Sequence, residues 1–169
     1  QVKAEVFKVG GGFGGKGQIK IEPMPACGSR VTGRPVRLEL SRDEVFFTIG
    51  RHGADVRLKT GVRSDGTLVA PEIDIVYNAG AYAVISPTGA GQGLIRAPGP
   101  YRTPNIVVSS TARYTNTVPS GPFRGAMTTQ LCFAYESQMD DIAAVLGIDP
   151  IELRRRNLLV DGDTYATGE

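Results

Sequence analysis

Only two cysteines, Cys27 and Cys132, and a single histidine, His52, occur in the 169 residues. Two thiols so far apart are too few for a disulfide framework or a zinc site, which makes a reducing, cytoplasmic setting the default, with both thiols expected as small buried residues. His52 stands between Arg51 and Gly53 without a carboxylate or second histidine nearby, so a structural or surface role suits it better than metal ligation. No apolar run approaches the ~20 residues needed to span a bilayer, and no signal peptide opens the chain. No basic cluster is interleaved with aromatics and the net charge is only +2, so nucleic-acid binding has no support. A start methionine is missing too: Gln1 runs directly into a strand-like pattern, as expected of a piece of a longer polypeptide. What is there is of ordinary globular composition, 41% hydrophobic and 21% charged, and long enough to bury a core as a single domain over 1–169.

The most informative stretch is Gly10-Gly11-Gly12-Phe13-Gly14-Gly15-Lys16, with glycine at five of seven positions. Backbone without Cβ can turn through positive φ and touch another molecule directly, at an entropic cost that stabilises nothing by itself. Val2 to Val9 alternate as a strand does, which places the run at a strand end. The run fits two phosphate patterns. Gly10, Gly12 and Gly15 match G-x-G-x-x-G, and Gly10 to Lys16 match the opening of G-x-x-x-x-G-K-[ST]. The second pattern needs a hydroxyl after the lysine for magnesium, where this chain has Gly17. The first needs a βαβ unit, and Pro23 and Pro25 follow too soon for a regular helix.

Beyond the glycines, Ile19 to Val31 is expected as an irregular helix broken around the two prolines, ended by Gly33-Arg34-Pro35. Val36, Leu38 and Leu40 alternate with Arg37 and Glu39 and predict a strand. Ser41-Arg42-Asp43-Glu44 is a capping box opening a short helix to about Ile49, with Gly50 as its stop. Val56 to Arg63 and Thr67 to Asn78 predict an antiparallel hairpin around the turn Ser64-Asp65-Gly66. Ala79 to Arg102, rich in glycine, alanine and proline, predicts a long loop. Ile106 to Tyr114 predicts another strand. Asn116 to Gly125 is a second loop, stiffened by Pro119 and Pro122, and a helix follows from the recurrence of Met127, Leu131, Tyr135, Met139, Ile142 and Leu146, stopped by Gly147. Asp149-Pro150-Ile151-Glu152 opens a last helix to about Leu159. Strands and helices are segregated more than alternated, so the fold class is α+β, a mixed or antiparallel sheet with flanking helices and two C-terminal helices. Arg102, Arg154, Arg155 and Arg156 read as a solvated or interface-facing set. Arg124 differs, because a rigid loop presents it just before a helix start; with the naked backbone of Gly10 to Lys16 it would make an anion clamp.

These landmarks, in order along nearly the whole chain, resemble the molybdopterin-binding large subunit of the molybdenum hydroxylases, the family of xanthine dehydrogenase and aldehyde oxidase. The glycine run is similar to that family's first cofactor loop. Thr32-Gly33-Arg34-Pro35-Val36, Ser41 to Glu44, Asn78 to Tyr82 and Pro100 to Asn105 are similar to later landmarks. Phe123-Arg124-Gly125 with Gln130 resembles the second cofactor loop, and Glu136, Met139-Asp140, Leu146-Gly147, Asp149-Pro150 and Arg155-Arg156-Asn157 resemble its trailing helices. The resemblance implies a molybdenum-dependent oxidoreductase that hydroxylates an aldehyde or N-heterocycle with water-derived oxygen. Electrons would leave through iron–sulfur clusters and FAD on partner subunits or domains. It implies cofactor contacts from Gly12, Phe13, Gly14, Pro122, Phe123, Arg124 and Gln130, with molybdenum held through the pterin rather than by side chains. The general base would lie outside this chain, leaving the isolated portion inactive. Purine-oxidising members carry a glutamate directly after the first loop's lysine and an aromatic residue directly after the second loop's glycine. Here Gly17 and Ala126 occupy those substrate-pocket positions, so a purine held in that way is not expected. Met127 and Pro122 also depart from the small residues usual there. Two other readings of the residues stay open: a nucleotide- or phosphate-binding module using Gly10 to Lys16, and a non-catalytic interaction domain.

Overall fold

The computed structural model describes residues 3, 5, 6 and 8–169. In chain order its elements are α1 (Pro23–Thr32), α2 (Arg42–Phe46), β1 (Gly50–Arg51), β2 (Ala54–Val62), β3 (Leu68–Gly80), α3 (Ser86–Arg96), β4 (Val107–Tyr114), β5 (Ser120–Gly121), α4 (Thr128–Leu146) and α5 (Pro150–Asn157). β3 is the central strand of a three-stranded mixed sheet, antiparallel to β2 and parallel to β4. Its alternation decides the layering: Ile73, Ile75 and Tyr77 face inward and are buried with Ala90 of α3 and Leu131 of α4. On the opposite face Arg57 and Lys59 of β2 stand in register with Asp74 and Glu72 of β3. A second core joins Leu68 and Tyr101 to Met139, Ala143 and Leu153 of the C-terminal helices. β1 pairs in parallel with β5, Gly50 with Ser120 and Arg51 with Gly121, which ties the second loop to the hairpin. The fold class is α+β, as expected, and no helix among the described residues is long and apolar enough to cross a membrane.

Local signals with built-in partners hold. The Ser41 hydroxyl accepts from Glu44 N while the Glu44 carboxylate accepts from Ser41 N, so the capping box is complete. Asp149 Oδ1 accepts from Ile151 N and Glu152 N, each at 3.0 Å. Gly33 and Gly147 end α1 and α4 in the left-handed region. The predicted hairpin forms around its turn.

Other expectations need correction. The strand over Val2 to Val9 falls partly on residues 2, 4 and 7, which lie outside the described ones; Lys3, Glu5, Val6, Lys8 and Val9 are in no strand. Pro23 and Pro25 start α1 rather than break it, because the first helical turn has no use for their missing amides. Val36, Leu38 and Leu40 form no strand: alternation selects a face, but a ladder needs a neighbouring edge and none is paired there. α2 ends at Phe46, short of Ile49, and Gly50 begins β1 instead of stopping a helix.

The largest correction lies between Ala79 and Arg102, where a loop was expected and α3 forms. Helix propensity argues against SPTGAGQGLIR, yet its glycines are what the packing needs. A Cβ on Gly93 would sit 2.9 Å from the Tyr77 ring, and one on Gly89 would collide with the Met127 methyl. α3 thus crosses closely over β3 and makes β3-α3-β4 a parallel crossover unit. The cysteines are exposed rather than buried. Arg154 is not a solvated charge either: it pairs with Glu136 at 2.7 Å and Asp140 at 2.8 Å, and Glu136 also accepts from the Tyr101 hydroxyl at 2.8 Å.

Two measurements test this packing. Asn157 is buried, accepts from Leu68 N at 3.0 Å and donates to Gly66 O and Leu153 O, each at 2.9 Å. Asn157→Ala strands a buried amide and carbonyl and lowers unfolding free energy by about 2–4 kcal/mol, read as a lower urea midpoint; an unchanged midpoint contradicts it. His52, only 2% exposed, bonds Ser86 Oγ at 2.8 Å. Burial pushes its imidazole below the ordinary value, opposed by the Gly121 backbone. A depressed value means full stability above the unfolded pKa near pH 6.5, lost as pH falls through the folded one, with a slope of at most about 1.4 kcal/mol per pH unit. His52→Gln flattens that slope between pH 7.5 and 5.5; a wild-type slope in the variant rules His52 out as its source.

Candidate functional site

The two loops singled out in the sequence meet. In the first, Gly15 N donates to Gly12 O at 2.8 Å and Gly17 N to Gly14 O at 3.3 Å, so the run is two successive tight turns. Gly11, Phe13 and Gly14 have φ of 129°, 50° and 86°. In the second, Arg124, Gly125 and Met127 have φ of 38°, 63° and 65°. Phe13, Arg124 and Met127 are not glycine, and each left-handed residue costs about 1–2 kcal/mol. Strain held in place on two facing loops marks a functional site more often than a structural one.

The junction is made by backbone. Arg124 N donates to Phe13 O at 3.0 Å. A Cβ on Gly14 would lie 2.8 Å from Pro122 O, so only glycine allows the loops to close this far. Side chains continue the contact: the Arg124 guanidinium lies 4.7 Å over the Phe13 ring and 5.9 Å from that of Phe123. Both rings stay solvent-facing, Phe13 at 60% and Phe123 at 48% exposure. Among the described residues Arg124 makes no ion pair. Lys20 adds another cation, its Nζ 3.9 Å from where a Gly15 Cβ would be; burial pushes its ammonium down, opposed by the charge of Glu22.

The remaining expected residues divide. Gly12 lies inside the first turn and its carbonyl is used there. Gln130, in the first turn of α4, donates through Nε2 to the carbonyl of His52, while its Oε1 is buried without a partner. Ala126 lines a cavity of about 70 Å³ beside the second loop, together with Ile85, Thr88, Gln92, Pro122 and Met127. Gly17 does not line it.

Several residues around the junction carry no signal in the sequence. Arg96 Nη1 donates to Ala126 O at 2.5 Å, and Thr88 and Gln92 stand on the same helix, α3, which the glycine-rich composition concealed. Gln18 has a buried Nε2 without a partner. Arg51 Nη2 donates to Arg124 O at 2.9 Å, and its guanidinium lies 5.4 Å from the Phe123 ring centre. No periodicity marks a two-residue strand, so nothing in the sequence pointed to Arg51.

Known proteins are similar to this chain over most of its length. It is 40% identical over 151 residues to a probable xanthine dehydrogenase subunit of Bacillus subtilis (strain 168), covering 89% of this chain and 20% of that protein. It is 41% identical over 157 residues to the xanthine dehydrogenase molybdenum-binding subunit of Escherichia coli O157:H7, covering 92% and 21%. Among solved structures it is similar to the aldehyde oxidoreductase from Desulfovibrio gigas, with a TM-score of 0.89 and 35% identity over 95% of this chain and 18% of that one. The chain therefore spans about a fifth of the length of these curated relatives. The family model described as the molybdopterin cofactor-binding domain matches residues 1–158, and the chain belongs to that family.

Proposed function

We propose that this chain is one portion of the large subunit of a molybdenum hydroxylase and that its two facing loops hold molybdopterin. The observation that carries this reading is the junction itself, Gly14 against the Pro122 carbonyl and Arg124 N on Phe13 O. The residues present fit the group. The missing Cβ of Gly14 admits the Pro122 carbonyl and brings the two loops together as one surface of bare backbone that another molecule can approach closely. Arg124 has no carboxylate to neutralise it among the described residues and is free to meet a phosphate. Two buried amide atoms without partners, on Gln18 and Gln130, are available to a polar ring edge.

In this reading Gly12, Phe13 and Gly14 wall one side of the cofactor. Pro122, Phe123 and Arg124 grip the other, and Gln130 orients the second loop through its bond to His52. When bound, the cofactor supplies a molybdenum centre for hydroxylating an aldehyde or N-heterocycle with oxygen from water, its electrons leaving through iron–sulfur clusters and FAD on partner subunits or domains. The cavity bordered by Ala126 is the substrate side. With Gly17 and Ala126 in place of the glutamate and aromatic residue of purine-oxidising members, a purine held in that way is not expected. The general base belongs to the rest of the subunit, and a cytoplasmic setting goes with the same reading.

The nucleotide alternative fails on the backbone. A phosphate loop delivers its glycines straight into a helix N-terminus, whereas α1 begins only at Pro23, and Pro23 and Pro25 remove two of its leading amides. The full-length subunit provides the tests. Gly14→Val, which meets both the Pro122 carbonyl and a φ of 86°, abolishes molybdenum content measured by elemental analysis; normal content sinks the junction as the cofactor site. Arg124→Ala lowers pterin affinity by about ten- to a hundredfold, the worth of a charge-assisted hydrogen bond of about 1.5–3 kcal/mol. ATP binding by calorimetry stays at background in both wild type and variant. Tight, magnesium-dependent ATP binding by the wild type would favour the nucleotide module instead.

A further inference from the structure

We infer that Arg51 is a positioning residue for the cofactor site, holding the second loop in its binding conformation through Arg124 and Phe123. The inference rests on the molybdopterin reading above. Arg124 sits at φ 38°, a backbone state an arginine leaves unless something retains it. Its amide is retained by Phe13 O at 3.0 Å, from the first loop. Its carbonyl is retained by Arg51 Nη2 at 2.9 Å, from β1. The left-handed peptide is thus clamped on both sides, and Arg51 is the clamp on the scaffold side.

The side chains repeat the pattern. Phe123 has the Arg51 guanidinium 5.4 Å from its ring centre and that of Arg124 at 5.9 Å, with Arg124 also over Phe13. The order Arg51, Phe123, Arg124, Phe13 alternates cation and ring across both loops, each contact attractive although the two cations repel. Among the described residues neither arginine makes an ion pair. Arg51 therefore adds uncompensated positive charge beside Arg124, which favours an anionic group there. β1 itself is anchored by its pairing with β5, so Arg51 reaches the loop from a backbone already tied to Gly121. A lysine could keep the charge but not hold the carbonyl bond and the guanidinium contact with Phe123 together.

The test uses the full-length subunit, purified from cells limited in molybdopterin, with pterin content read by fluorescence after oxidative release and the unfolding temperature read on cofactor-free protein. Arg51→Met keeps the stem and removes charge and donors; Arg51→Lys keeps charge alone. The expected result is pterin content lower by about tenfold or more in Arg51→Met, a partial recovery in Arg51→Lys, and a cofactor-free unfolding temperature unchanged in both. Full pterin content in Arg51→Met overturns the inference. A lowered unfolding temperature in both variants, with pterin loss in proportion, also overturns it and makes Arg51 an ordinary structural contact. Wild-type subunit without pterin, or Arg124→Ala that retains it, overturns the molybdopterin reading itself; pterin loss in Arg124→Ala but not in Arg51→Met overturns only the role of Arg51.

Discussion

Gly14 lies so close to the Pro122 carbonyl that the two loops share a single backbone surface. Everything distinctive about the site depends on that closeness. Phe13 and Arg124 hold left-handed backbone because a peptide hydrogen bond joins them, and their side chains stack because those peptides are locked. A Cβ at Gly14 would separate the loops, release both strained residues and disperse the cations. The cost of several left-handed residues, about 1–2 kcal/mol apiece, is offset by the scaffold below them.

That scaffold is built on close approach as well. β3 carries the buried face of the sheet, and α3 crosses over it because Gly93 leaves room for Tyr77 and Gly89 for Met127. Met127 is at once a core residue and the left-handed residue that launches α4. Packing in the first core and the conformation of the second loop are therefore one structure. His52 links the same parts, bonding Ser86 at the start of α3 through its ring and Gln130 of α4 through its carbonyl. Of the exposed apolar side chains of the N-terminal third, Val31 lies in α1 and Phe46 in α2, two helices with no buried residue of their own. Those elements contribute little to either core.

The sequence by itself determined the features whose partners lie a few residues away. The capping box at Ser41, the Asp149 cap, the glycine stops at Gly33 and Gly147 and the turn around Asp65 are short-range hydrogen-bond problems, solved within one turn of chain. So were the hairpin, whose two arms share a turn, and α4, whose apolar spacing is long enough to exceed competing patterns. The glycine run also stood out in the sequence, because so many glycines cost conformational entropy without stabilising anything by themselves. Only the tertiary structure decided the rest. α3 exists against its own propensity because Tyr77 and Met127 need glycine opposite them; Val36 to Leu40 stays unpaired because a ladder needs an edge elsewhere in the molecule; and Arg51 reaches the site only because β1 pairs with a strand some seventy residues away. Such contacts depend on which surfaces meet after folding, and no local pattern encodes them.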